Sequence, residues 1–259
     1  GSALDLEALK RGNSIYLPNK VIPMLPKELS NGICSLNPGV DRLTITCIME
    51  INSNGEIVAH DIKKSIVNSK FRLVYNDVSD ILEKKDESLI KKYADIYEDL
   101  LLMEELTKIL RKKRKEIGGL DFDLPEAKIS LDKNNKPVKV ELEDRRIANI
   151  LIEEFMLAAN RTIAEHFYWM NVPFVYRVHE KPDQDRMLEL KSFLAMFGIG
   201  LKGKTDNIHP NTLSKIMDDI SGEECETIIN TVILRSMKKA FYATECMGHF
   251  GLAYPYYCH

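Results

Sequence analysis

The sequence predicts a mixed α and β (α+β) fold in a single domain spanning residues 1–259, with β-hairpins and sheet packed against several helices. Three observations carry this. Leu43 to Ile51 alternates strictly and runs into a turn, Asn52-Ser53-Asn54-Gly55, the mark of a β-hairpin. From Leu73 to Leu110, apolar residues recur at helical spacing. Glu143 to Asn160, EDRRIANILIEEFMLAAN, is apolar around most of a helical cylinder, and helices of that kind lie inside proteins.

Composition bounds the class without naming a function. With 259 residues there is enough chain for a substantial core, and 44% hydrophobic with 29% charged residues is ordinary for a globular protein. No apolar run has membrane-spanning length, and no signal-peptide pattern is present. Five cysteines without regular spacing fit a reducing cytoplasm better than a disulfide framework. The net charge of -3 gives no electrostatic sign of a nucleic-acid partner, so any phosphate-binding surface must be local.

In chain order, Leu4 to Arg11 reads as a short amphipathic helix stopped by Gly12. Residues 13–42 hold four of the ten prolines and two glycines, so little regular structure is expected there; a long irregular segment in a compact domain is usually functional. Leu43, Ile45, Cys47, Met49 and Ile51 share one side of the first strand, and Glu56 to Val67 returns as the second. Leu73 to Leu82 starts a helical region that continues after Lys84-Lys85-Asp86 as a long helix capped by Asp86 or Ser88 and ended by Gly118-Gly119. Its last turns, Lys108 to Lys115 (KILRKKRK), read as a solvated helix end whose charge complements the macrodipole; the alternative is a phosphate-contacting patch.

Lys128 to Leu131 and Val138 to Leu142 form a second hairpin about the turn Asp132 to Pro137. The helix from Glu143 runs to about Tyr168. It places Leu151, Phe155, Ala158 and Thr162 on one face and Arg146, Asn149, Glu153 and Asn160 in a narrow polar stripe. Phe174 to Val178 reads as a buried strand, Asp183 as the cap of a helix through Phe197, and Thr212 to Ile220 and Glu223 to Ala243 as two further helices. The tail from Cys246 has no period.

Few motifs carry chemistry. Cys246, His249, Cys258 and His259 are of zinc-ligand type but match no standard spacing. The acid pairs Asp218/Asp219, Glu223/Glu224 and Asp183/Asp185 lie at helix boundaries, where carboxylates cap amides. No D-x-D-D cluster of the kind that holds two metals occurs. Tyr16, Tyr75 and Phe122 lie in or beside irregular stretches, as packing anchors or as base-stacking platforms.

Four blocks carry more than composition does: IPMLPKELSNGICSLNPGVDR (22–42), EDRRIANILIEEFMLAAN (143–160), VYRVHEKP (175–182) and LRSMKKAFYATECMGHFGLAYPYYCH (234–259). Together, in this order, they resemble the catalytic domain of the ribonuclease II / ribonuclease R (RNB) family, most like its ribonuclease R members. The resemblance implies a 3′-to-5′ exoribonuclease that degrades single-stranded RNA processively to nucleoside 5′-monophosphates with magnesium. It implies no membrane partner and no DNA substrate. The aromatics that bound the family's base stack map onto Tyr16 in SIYLP and Phe122 in GGLDFDLPE. The ribose-contacting residues map onto Tyr75 in FRLVYNDVSD and Glu153; a carboxylate that accepts from a 2′-hydroxyl selects RNA over DNA. Arg146, Asn149 and Asn160 become candidate supports for Glu153.

The resemblance also implies what to expect outside these blocks. The family's metal-holding aspartates map before Gly1, its SPIRRY-like phosphate-gripping segment after His259, and its cold-shock and S1 domains elsewhere. The expectation is an internal fragment that supplies pocket walls, with no catalytic residue and no metal of its own, and is inactive alone. The alternative is a non-catalytic RNA-binding or scaffold protein of the same fold, which a missing D-x5-D-x-D-D cluster upstream would favour.

Overall fold

Ser2 and Gly12 bracket the first helix as its sequence dictates. In α1 (Ala3–Arg11) the Ser2 hydroxyl accepts from the Asp5 amide at 3.2 Å, and Gly12 ends the helix at φ 72°. The computed structural model describes residues 1–122 and 126–259. The proline-rich stretch is more regular than composition suggests. Strands β1 (Ile15–Leu17) and β2 (Lys20–Ile22) pair antiparallel, Tyr16 opposite Val21, and Glu28–Ile33 makes a π-helical turn. Pro18 falls in the turn between the strands, where no amide is required.

The main hairpin pairs β3 (Asp41–Ile51) with β4 (Ile57–Asn68). Its turn is held by the Asn52 side-chain oxygen, which accepts from the Asn54 and Glu56 amides at 3.0 Å each. The alternation is not unbroken. Arg42, Thr44 and Thr46 are the more covered residues at first, then Cys47, Met49 and Ile51, so the covered side slips by one residue. Leu43 is therefore 86% exposed, while Thr44 and Thr46 share the Ser65 hydroxyl.

The first helical stretch is α2 (Tyr75–Ser79) with a π-helical turn Asp80–Lys84, interrupted where expected, and the long helix after it is three pieces: α3 (Glu87–Lys92), a 3-10 turn Ala94–Ile96, and α4 (Tyr97–Glu116). Lys85 adopts φ 55° and breaks the run, and Asp86 then caps α3 by accepting from the Ser88 and Leu89 amides. Next, β5 (Glu126–Leu131) and β6 (Pro137–Glu143) form the second hairpin as expected.

Helix α5 (Ile147–Trp169) begins four residues later than its pattern suggests. Asn149 accepts from the Arg146 amide, and the next two amides are capped from elsewhere in the chain. Ile147 N–H donates to Glu83 at 3.0 Å and Ala148 N–H to Ser79 at 3.2 Å, from the π-helical turn after α2 and from the end of α2. Arg146 clamps the junction, with Asp80 at 2.6 Å and Glu83 at 2.7 Å from its guanidinium.

Strand β7 (Tyr176–Val178) and helices α6 (Gln184–Ala195), α7 (Pro210–Asp219) and α8 (Glu226–Ser236) follow, then β8 (Phe241–Ala243). Asp183 stands at the N-terminus of α6, but its carboxylate goes to Lys238 at 2.9 Å instead of capping the helix. α8 stops well short of Ala243: Met237 turns extended, and Phe241–Ala243 pairs antiparallel with Tyr176–Val178.

The chain divides into two compact units: Gly1–Thr46, Ile62–Asp77 and Pro125–Arg145 form one, and Cys47–Asp61, Val78–Leu124 and Arg146–His259 the other. The first holds α1, the β1–β2 and β5–β6 hairpins and the open end of the β3–β4 hairpin. In the second, Met187, Leu190, Leu194, Leu213, Ile229 and Ile233 of α6–α8 are fully buried, each contributing about 1.5–3 kcal/mol. Among the described residues no helix is long and apolar enough to cross a membrane.

Candidate functional site

The basic end of α4 keeps Lys108, Lys112 and Lys115 exposed, as a solvated helix end does, and its cations lie beside carboxylates. Lys108 pairs with Glu104, Arg111 with Asp121, Lys113 with Glu56, Arg114 with Glu154 and Lys115 with Asp218, at 2.6, 2.8, 3.4, 2.7 and 2.5 Å. Most of these are exposed pairs, individually weak. Arg114 differs. It is 3% exposed and its partner Glu154 is 1% exposed. Leu100, Thr107 and Arg114 fall seven residues apart on the buried stripe of α4, and Leu151, Glu154 and Ala158 on that of α5, so the stripes bring a cation to a carboxylate.

Nε and Nη2 of Arg114 donate to Glu154 Oε1 at 2.9 and 2.7 Å, and Nη1 donates to the Leu120 carbonyl at 3.3 Å. Nη2 also lies 3.6 Å from Asp121 Oδ1 and 3.9 Å from Glu153 Oε1. Burial alone would lower the Arg114 pKa. The hydrogen bonds and charge of Glu154, with Asp121 and Glu153 nearby, hold it above the ordinary arginine value instead. Asp121 is gripped from its other side by Arg111, whose Nε and Nη2 donate to Oδ2 at 3.1 and 2.8 Å.

The Gly118-Gly119 pair makes this arrangement possible. Gly118 adopts φ 94° with the Asn211 backbone nitrogen 2.6 Å from where a Cβ would stand. At Gly119 a Cβ would meet Arg114 Cγ at 2.7 Å. The Leu120 amide donates to the Gly251 carbonyl at 2.7 Å, joining the tail to the same segment.

The predicted site residues divide between the units. Tyr16, 79% exposed on β1, and Tyr75, exposed at the start of α2, belong to the first. Phe122 and Glu153 belong to the second, and Arg114 ties the segment before Phe122 to the residue pair Glu153-Glu154. Phe122 is half-buried and packs against the α6–α8 core. Glu153 is half-buried on α5, while Ile152 and Met156 of the same helix are exposed. Thus the polar stripe of α5 is covered more than its apolar flank. Of the candidate supports for Glu153, Arg146 holds Asp80 and Glu83, Asn149 accepts from the Arg146 amide at 3.3 Å, and Asn160 reaches Tyr257 and His259.

A cleft of about 590 Å³ runs beside the later turns of α5, lined by Lys113, Arg161, His60, His166 and Trp169, with none of the four predicted residues in its wall. Among the described residues no group of three or more His, Cys, Asp or Glu could hold a metal ion. Cys246, His249, Cys258 and His259 are thus not gathered as a metal-binding group among the described residues.

The RNB domain model matches residues 1–259, and the chain belongs to that family. The chain is 42% identical to ribonuclease R 1 of Lactococcus lactis and 44% identical to ribonuclease R of Thermotoga maritima, in each case over all of this chain and over 32% and 36% of the relative. It thus spans about a third of the length of these curated relatives. Mycoplasma genitalium RNase R, solved in complex with ribose-methylated single-stranded RNA, superposes over the whole chain with a TM-score of 0.91 at 27% identity, covering 40% of that chain. The α+β RNB-type fold expected from the sequence is the fold observed.

Proposed function

We propose that the whole protein is a 3′-to-5′ exoribonuclease that degrades single-stranded RNA processively to nucleoside 5′-monophosphates. The observation that carries this reading is the match along the entire chain to proteins named ribonuclease R, with a fold shared by an RNA-bound RNase R. The residues of this chain position and do not react. Tyr16 and Phe122 bound the stack of terminal bases, and Tyr75 and Glu153 hold the terminal riboses. In support, Tyr16 and Tyr75 present open ring surface, and Glu153 keeps about a third of its side chain exposed, at 35%, beside a fixed guanidinium.

Magnesium is the cofactor of the whole protein in this reading, supplying an activated water and stabilising the leaving oxygen. The described residues build no site for it, so these 259 residues alone are proposed to be inactive, with at most weak RNA binding. The enzyme works in a reducing cytoplasm, in keeping with five unpaired cysteines, and needs neither membrane nor DNA. The test is incubation of the whole protein, and separately of this chain, with 5′-end-labelled single-stranded RNA and magnesium. The whole protein should shorten the label progressively from the 3′ end and this chain should not. Internal fragments from the whole protein would overturn the activity, and shortening by this chain that survives repurification would overturn its inactivity.

A further inference from the structure

We propose that Arg114 is a positioning residue for Glu153 and fixes the segment carrying Phe122 to the same point. This rests on the reading of Glu153 as the carboxylate that accepts from a ribose hydroxyl. A guanidinium is a rigid plane of five N–H donors. Here three of its nitrogens are used inward, on Glu154 Oε1 and the Leu120 carbonyl. Nη2 also has carboxylate oxygens of Asp121 and Glu153 beside it, 3.6 and 3.9 Å away.

The guanidinium has no freedom to follow Glu153. It is almost fully buried, and its Cγ lies against Gly119 where no side chain could fit. Glu153 therefore faces a charge whose place is set by other groups, one of them on the adjoining residue of its own helix. Two residues before Phe122, the same guanidinium holds a main-chain carbonyl, and Asp121 between them is fastened by Arg111. One buried cation thereby sets the ribose-side carboxylate and the base-side aromatic with respect to each other. Lysine, a point charge on a flexible stem, would keep the charge and lose the plane.

The test measures kcat/KM of the whole protein on two single-stranded RNAs that differ only by 2′-deoxy nucleotides at the 3′ end. The enzymes are the native protein, Glu153→Ala, Arg114→Lys and the double variant, each checked for folding by circular dichroism. Displacement by about 1 Å can cost on the order of a hundredfold, so Arg114→Lys should lower the ribo-to-deoxy ratio roughly tenfold or more. The double variant should lower it no further than Glu153→Ala does. A purely structural role would slow both substrates alike. If Glu153→Ala leaves the ratio unchanged, the reading of Glu153 fails and the proposal fails with it. If Glu153→Ala collapses the ratio and folded Arg114→Lys does not, the positioning role alone is overturned. Should Arg114→Lys not fold, Glu154→Gln, which keeps the shape and removes the anchoring charge, must lower the ratio in the same way, and an unchanged ratio there overturns the proposal.

Discussion

Arg114 and Glu154, forty residues apart in sequence, form a buried ion pair in which two guanidinium nitrogens donate to a single carboxylate oxygen at 2.9 and 2.7 Å. The pair joins α4 to α5. Desolvating two charges offsets much of their attraction, so the net gain over an apolar pair is small, but removing one partner strands the other. Glu154→Ala should therefore destabilise the protein by about 3–5 kcal/mol, read as a lower urea midpoint. Glu153→Ala, one residue earlier and half-buried, should leave that midpoint within about 1 kcal/mol.

Gly119→Ala should be costly for the same reason. The new methyl would stand 2.7 Å from Arg114 Cγ and 3.0 Å from the Arg114 carbonyl, and backbone cannot give way as a side-chain tip can. A loss of about 1–3 kcal/mol is expected, with a weaker Arg114–Glu154 pair. An unchanged thermal midpoint would show that the segment has slack that the geometry does not.

Leu151 is fully buried on α5, and Leu151→Ala should cost about 2–5 kcal/mol. Exposed Ile152 on the next turn position should tolerate alanine with a change within about 0.5 kcal/mol. Equal losses at both positions would mean that α5 sits with a different face inward.

These assignments show what the sequence made legible. The hairpins could be read because turn chemistry is local: Asn52 and Asp132 each accept two amides within four residues. The start of α5 could not, because two of its caps are Ser79 and Glu83, more than sixty residues upstream. Nor could the end of α8, since the strand that follows it is fixed by pairing with Tyr176–Val178. Tyr16, Tyr75, Phe122 and Glu153 came from the family resemblance. Arg114 was concealed in a run of basic residues, yet its spacing of seven from Thr107 and fourteen from Leu100 already placed it on the buried stripe.

His249 gives the fold an acid-sensitive point. Burial, with the nearby His179 adding to it, pushes its pKa down from 6.5 to about 4. Its Nδ1 accepts from the Leu252 amide at 3.2 Å, which a protonated ring with hydrogen on both nitrogens could not do. The sign follows from proton uptake. Above pH 6.5 the ring is neutral in both states; between 6.5 and 4 the unfolded chain binds a proton that the folded chain refuses. Stability should thus fall by up to about 3 kcal/mol as pH drops through that window. His249→Asn, which keeps an acceptor, should flatten this part of the urea midpoint against pH. An undiminished slope would assign the acid sensitivity to other groups.

The most direct test of the central claim is the rate of mononucleotide release by the whole protein and by its Glu153→Ala variant on single-stranded RNA with magnesium. A hydrogen bond to a charged group contributes about 1.5–3 kcal/mol, so the native protein should release nucleoside 5′-monophosphates and the folded variant should do so about ten- to a hundredfold more slowly. Equal rates would contradict the role given to Glu153, and no mononucleotide from the native protein would contradict the account as a whole.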